Sequence, residues 1–137
     1  LNTNLKNKLT ILLYHGVTNK KDKGIINFQG KHLDKDAFIS QMEFISTRCS
    51  PISIEQWTEI KLSNKPIPEY PTIVSFDDGF KNNKTIAAPI LEHFNIPSVF
   101  YISTGVIDTN KMFWVDIIEQ CIQFSRRKKI TIFFSIF

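Results

Sequence analysis

Apolar positions in this chain come in two patterns: short runs with barely a polar break, and longer stretches spaced three and four apart. Leu9-Thr10-Ile11-Leu12-Leu13-Tyr14 is of the first kind and stops at His15-Gly16. Such a run predicts a strand buried on both faces. Val17–Lys31 is polar and predicts a long loop. Asp34 or Asp36 can cap the helix that follows, in which Phe38, Met42 and Ile45 share one face with Phe44 beside them. Ser53 is placed to cap a second, shorter helix carrying Trp57. Pro66, Pro68 and Pro71 interrupt the chain before a second buried strand, Ile73–Phe76. Thr85–Phe94 then reads as a helix through Ile86, Ile90 and Phe94. Pro89 inside it predicts a kink or a late start, and Asn95 ends it. Ile96–Ile102 is a third strand with Ser103-Thr104-Gly105 as its exit loop. Met112–Phe124 is a last helix, with Trp114, Ile117, Ile118, Cys121 and Ile122 on its apolar side. The tail from Ile130 to Phe137 is strongly apolar and reads either as a fourth strand or as the mark of a truncated or misread frame. Strands alternating with helices predict an α/β fold with a parallel sheet or barrel, preceded by a flexible lead-in over residues 1–8.

Composition narrows this picture. With 137 residues, 42% of them hydrophobic and 22% charged, the chain is long enough for one domain with a core. The net charge of +4 comes from scattered lysines and small clusters at Lys20-Lys21 and Arg126–Lys129. No basic stripe interleaved with groove-reading elements is present, so no nucleic-acid partner is expected. Cys49 and Cys121 form neither a metal knuckle nor a disulfide framework. Two free, buried thiols are expected, with a single bridge left open. No apolar run reaches the roughly 18 to 20 residues that span a bilayer. The polar, Asn-rich start shows no signal peptide, although a first residue of Leu leaves a processed leader or an upstream segment open. The compartment stays open between cytoplasm and cell envelope.

The densest chemistry lies at Thr72-Ile73-Val74-Ser75-Phe76-Asp77-Asp78-Gly79-Phe80. A β-branched run delivers two adjacent carboxylates onto a glycine turn. Neighbours on a strand point to opposite faces, so the pair makes sense only where the strand ends. Asp-Gly is also ordinary turn chemistry. Its position after a buried strand favours a divided task, one acid holding a metal while the other handles a proton. Two like charges this close repel unless a cation lies between them. Ligands in parallel α/β folds collect at the carboxyl ends of strands. That rule selects His15, Asp77, Asp78 and Ser103-Thr104 for one shared mouth. His15 there is a candidate proton donor to a leaving group, or else a turn histidine bonded to a carbonyl. His32 in its polar loop and His93 on its helix read as structural or solvated. Trp57 and Trp114 read as core anchors rather than sugar platforms.

These residues together resemble the polysaccharide deacetylases of the NodB-homology type, carbohydrate esterase family 4. Ser75-Phe76-Asp77-Asp78-Gly79-Phe80 is similar to that family's first motif. Leu13-Tyr14-His15-Gly16-Val17 resembles the Tyr-His opening of a permuted branch that includes deacetylases of poly-N-acetylglucosamine. Pro89-Ile90-Leu91, Ile96–Ile102 and Thr104-Gly105 match the passage that follows, so the resemblance runs from Leu9 to Trp114. It implies a partial (β/α) barrel of the deformed deacetylase type, about its first half, over residues 9–137, truncated at its C-terminus. It also implies a divalent metal, usually zinc, that polarises the acetamide carbonyl and a bound water. The residue at Asp77 would be the general base, Asp78 a metal ligand, and His15 the acid that protonates the amine. The substrate would be an amino-sugar polysaccharide, and the products acetate and a free amine.

The family completes its metal site with a pair of histidines after the third strand, and this sequence has no such pair. Zinc in a catalytic site takes about three protein ligands. The expectation is therefore weak metal affinity and impaired activity, with a missing C-terminal part or a complementing chain needed to restore it. The alternative is an inactive carbohydrate-binding or interaction remnant. A receiver-like or phosphatase domain, which would use an acid pair for magnesium, is disfavoured because the next strand ends in Ser103-Thr104-Gly105 without an acid.

Overall fold

The computed structural model describes residues 5–19, 27, 30–126, 129 and 131. The chain divides into two compact units, Leu1–Gly105 and Val106–Phe137. In the first unit the strands are β1 (Thr10–Tyr14), β2 (Gly16–Thr18), β3 (His32–Asp34), β4 (Ser50–Pro51), β5 (Pro71–Phe76) and β6 (Ser98–Phe100). The helices are α1 (Lys35–Arg48), α2 (Ile54–Leu62) and α3 (Ala88–His93). The second unit contains α4 (Trp114–Phe124).

β5 is the centre of the first unit, and all six of its residues are buried. β1 pairs with it in parallel along one side, Thr10 opposite Thr72 through Tyr14 opposite Phe76. β4 and β6 share its other side, β4 against Pro71-Thr72 and β6 against Val74–Phe76, again in parallel. The described sheet is open and does not close into a barrel. β2 and β3 form a separate parallel ribbon, Gly16 opposite His32. The α/β expectation with parallel strands and outer helices therefore holds.

One face of the sheet is sealed by helices. Phe38, Met42 and Ile45 of α1 join Val74 and Phe76 of β5 and Ile90 and Leu91 of α3 in one buried cluster. The rings of Tyr14 and Phe38 meet edge to face at 5.3 Å, and Phe76 stacks on Phe100 at 4.9 Å. Aromatic pairs at such spacings add to what their burial contributes. Asp34 caps α1 by accepting from the Asp36 N–H at 3.1 Å. Ser53 and Gln56 form a reciprocal capping box at the start of α2, with bonds of 3.1 and 2.8 Å.

Several sequence expectations need correction. β1 is not buried on both faces: Ile11 and Leu13 are 59% and 56% exposed, while Leu12 and Tyr14 pack on the core. A continuous apolar run cannot reveal that a strand sits at a sheet edge. The loop expected over Val17–Lys31 begins as β2, whose partner β3 is too short and polar to be read from periodicity. The third strand shrinks to Ser98–Phe100. Pro89 marks an irregularity in its helix rather than a late start: helical backbone already begins at Lys81. Residues Asn83–Ala87 form a wide π-type turn, closed by the Ala88 N–H on the Asn83 carbonyl, and α3 continues from it. Proline has no N–H to offer the preceding turn, which widens to accommodate it. Asn95 takes a left-handed φ of 53° and ends α3. The Asn95 N–H donates to Glu92 O at 3.0 Å and the Ile96 N–H to Leu91 O at 2.9 Å, a Schellman stop with Ile96 buried. Neither cysteine is buried or bridged; Cys49 is half-buried and Cys121 exposed. In the second unit the apolar side read for α4 is open, with Trp114 at 71% exposure, so Trp114 is no core anchor. Trp57 is half-buried, with the Lys61 ammonium 5.7 Å from its ring centre. The strand considered over 130–137 lies outside the described residues apart from Thr131, which has no regular structure.

Met42→Ala is expected to cost about 2–5 kcal/mol by opening a cavity in the fully buried cluster. Ser53→Ala should cost only about 1 kcal/mol through its cap. Urea unfolding with unchanged slope checks both; equal losses would contradict a core centred on α1 and β5.

Candidate functional site

Two adjacent parallel strands end level with each other. Tyr14 is opposite Phe76, and one step further the Asp77 N–H donates to the Tyr14 carbonyl at 2.9 Å. His15 and Asp77 are therefore neighbours just beyond the carboxyl ends of β1 and β5. Side chains alternate along a strand, so His15 continues the face of Ile11 and Leu13, and Asp77 that of Ile73 and Ser75. Alternation continued by one step assigns both residues to the face opposite the Tyr14–Phe38–Phe76 aromatic cluster. The Ser75 hydroxyl ties the same strands together by donating to the Leu12 carbonyl at 3.0 Å. On the other side of β5 the Tyr101 N–H donates to the Phe76 carbonyl at 2.8 Å, which brings the chain leading to Ser103-Thr104 to the same end of the sheet.

Tyr14 holds the backbone just before His15. Its ring lies between Phe38 and Phe76, each 5.3 Å away. Its hydroxyl donates to Gln41 Oε1 at 2.7 Å, and burial pushes its ionisation above the ordinary phenol range. Tyr14 is thus a neutral structural anchor.

The acid turn is sharper than the glycine alone implied. Asp78 and Gly79 both have left-handed φ, 70° and 75°, and the Gly79 N–H donates to the Asp77 carbonyl at 2.9 Å. This turn breaks the strand alternation after Asp77. A non-glycine residue there is disfavoured by about 1–2 kcal/mol, less for Asp, whose short polar side chain tolerates the region. A Cβ at Gly79 would also lie 3.0 Å from the Ile102 side chain, a tight contact that Ile102 would have to relieve by shifting. A hollow of about 240 Å³ adjoins the turn, with Phe80, Asn83, Lys84, Phe100 and Ile102 in its walls.

His32 is structural. It occupies β3 and is only 6% exposed, which selects the structural reading over the solvated one. Its Nδ1 lies 3.0 Å from Asn82 Nδ2, and its ring meets Phe80 edge-on at 4.8 Å. Asn27 accepts from the His32 backbone N–H at 2.7 Å and donates to its carbonyl. Gly16, next to His15, has no room for a side chain: a Cβ would overlap His32 Nδ1 and lie 2.7 Å from Asn82 Oδ1. Asn82 and Asn83 carry no local signal that marks them as buried. They are 9% and 3% exposed, and Asn82 Oδ1 and both amide atoms of Asn83 have no partner among the described residues. The one signal they do offer is of position, two amides placed where a helix begins directly after the acid pair. His93 is exposed on α3.

The family resemblance leads to the expectation of a divalent metal. Among the described residues no group of three His, Cys, Asp or Glu side chains converges to hold one. Asp78 by itself falls short of the about three protein ligands of a catalytic zinc site. The described residues do not fit a complete metal centre. No described helix is long and apolar enough to cross a membrane.

Comparison with known proteins adds a relationship. No family model matches the chain. Poly-beta-1,6-N-acetyl-D-glucosamine N-deacetylase of Escherichia coli K12 is 37% identical over 59 residues, which is 43% of this chain and 9% of that protein. A de-N-acetylase structure from Aggregatibacter actinomycetemcomitans superposes with a TM-score of 0.64 at 21% identity, covering 84% of this chain and 51% of that one. A polysaccharide deacetylase structure from Bacillus cereus gives 0.58 at 22% identity, covering 86% of this chain and 36% of its own. These structural likenesses establish the shared fold. The chain spans about half the length of the first of these structures and a small part of the curated relative.

Asp78→Gly is expected to raise stability by up to about 1 kcal/mol, because glycine adopts the left-handed turn without strain. Gly16→Ala should lower the melting temperature by several degrees, since His32 and Asn82 leave the new methyl no space. Thermal melts of the two variants check both signs. A stabilising Gly16→Ala would contradict the packing described.

Proposed function

Taking as premise that this chain is related to the polysaccharide deacetylases, we propose that it serves hydrolytic removal of N-acetyl groups from an amino-sugar polymer. The observation that carries the reading is the placement of His15 and Asp77 side by side beyond β1 and β5. An acetamide is a poor electrophile and an amine a poor leaving group, so one group must activate water and another must protonate nitrogen. Asp77, ionised, takes the proton of the attacking water as its oxygen bonds to the carbonyl carbon. His15, protonated, gives a proton to the nitrogen as the C–N bond breaks. Acetate and the free amino sugar leave. Residues 9–137 act in this reading as part of a deacetylase domain.

Asp78 is the residue that would face a divalent metal, zinc by family resemblance. Further ligands have to come from outside the described residues or from a complementing chain, so no step is derived through a metal. The shortage of ligands among the described residues favours a second reading, an inactive carbohydrate-binding remnant.

Acetate release from N-acetylglucosamine oligomers, with zinc supplied, tests the first reading. Asp77→Asn should lower turnover by about 10²–10⁴-fold, the usual worth of a general base. Asp77→Asn equal to the parent would contradict that role. A folded parent that releases no acetate but still binds the oligomer supports the remnant. In calorimetry the described chain should bind zinc weakly, and Asp78→Ala should abolish what binding there is.

A further inference from the structure

We propose that His32 is a positioning residue for the His15–Asp77 pair, a role that rests on the deacetylase reading of those two residues. One imidazole touches both segments that carry the candidate catalytic groups. On one side its Nδ1 lies against the bare α-carbon of Gly16, the residue after His15. On the other it meets Asn82 at 3.0 Å and the Phe80 ring at 4.8 Å, both just beyond the acid turn. These contacts reach the backbone beside His15 and the chain after Asp78, rather than a reacting atom.

The chemistry of the pair bears on the state of the ring. With the Asn82 amide placed so that Nδ2 faces the ring, His32 Nδ1 is the acceptor, an arrangement that goes with a neutral imidazole protonated on Nε2. Asn27 holds the His32 backbone at both its N–H and its carbonyl. The ring is therefore held through its own backbone, 6% exposed, and packed between the start of β2 and the segment that follows the acid turn. Asn82 Oδ1 lies close to the same Gly16 position. Loss of the ring would free the start of β2 and the start of the helix after the turn together, and with them the alignment of His15 with Asp77.

The test uses the full chain labelled with nitrogen-15. In the parent, His32 should show long-range ring correlations of a neutral Nε2–H tautomer. In His32→Leu, which removes the acceptor but keeps apolar bulk, the Asp77 amide should exchange about tenfold faster, beyond any change at Val74, the core reference for global opening. The His15 ring signals should shift as well. His32→Gln, which returns an oxygen acceptor to Asn82, should restore Asp77 protection. With N-acetylglucosamine oligomer as substrate, His32→Leu should lower kcat about tenfold at unchanged KM. The proposal is overturned if Asp77 and Val74 lose protection in step, if Gln behaves as Leu does, or if the parent ring carries its proton on Nδ1. Should His32→Leu fail to fold, Asn82→Ala is read by the same exchange criterion. A folded parent that releases no acetate removes the deacetylase reading, while the exchange result still decides the role of His32.

Discussion

Parallel pairing of β1 with β5 is the constraint on which the rest depends. Its register places Tyr14 opposite Phe76, and the bond from the Asp77 N–H to the Tyr14 carbonyl extends it by one step. Because side chains alternate with a period of two, a slip of one residue would turn Asp77 to the helix-covered face and leave His15 without its neighbour. The register is held from both faces. Tyr14, Phe38, Phe76 and Phe100 lock the covered face through ring contacts, and the Ser75 hydroxyl bonds across to Leu12 on the other.

The site is then shaped by what happens where the strands stop. Asp78 and Gly79 turn the chain through left-handed conformations, and the turn lies close against the Ile102 side chain. Beneath it, Gly16, His32 and Asn82 pack with no space for an extra methyl. The left-handed conformation costs Asp78 up to about 1 kcal/mol, a small but real part of a total stability of about 5–15 kcal/mol. Its position directly after Asp77 makes the turn more than a connection between elements. The buried amides of Asn82 and Asn83 lie beside it, and three of their four polar atoms have no partner among the described residues.

Much of this was legible in the residues. The buried character of Ile73–Phe76, the caps Asp34 and Ser53, the α1 face of Phe38, Met42 and Ile45, and the helix end at Asn95 all follow from local rules, and each holds. Local rules work there because a cap, a helix stop or a helical face acts within a few residues of itself. Elements held by partners far away in sequence were misjudged. β1 looked fully buried although its far edge and one face are open, and β2, β3 and β4 are too short to show any period.

The sequence by itself determined which residues could do chemistry: an acid pair ending a buried strand, and a histidine ending another. It also determined the order of strands and helices that brings those ends to one side of a sheet. Only the tertiary structure decided that His15 and Asp77 stand level, that Asp78 turns off the strand, and that His32 is buried between Gly16 and Asn82. The physical reason is separation along the chain. Tyr14 and Phe76, or His32 and Asn82, meet through packing that no window of neighbouring residues contains.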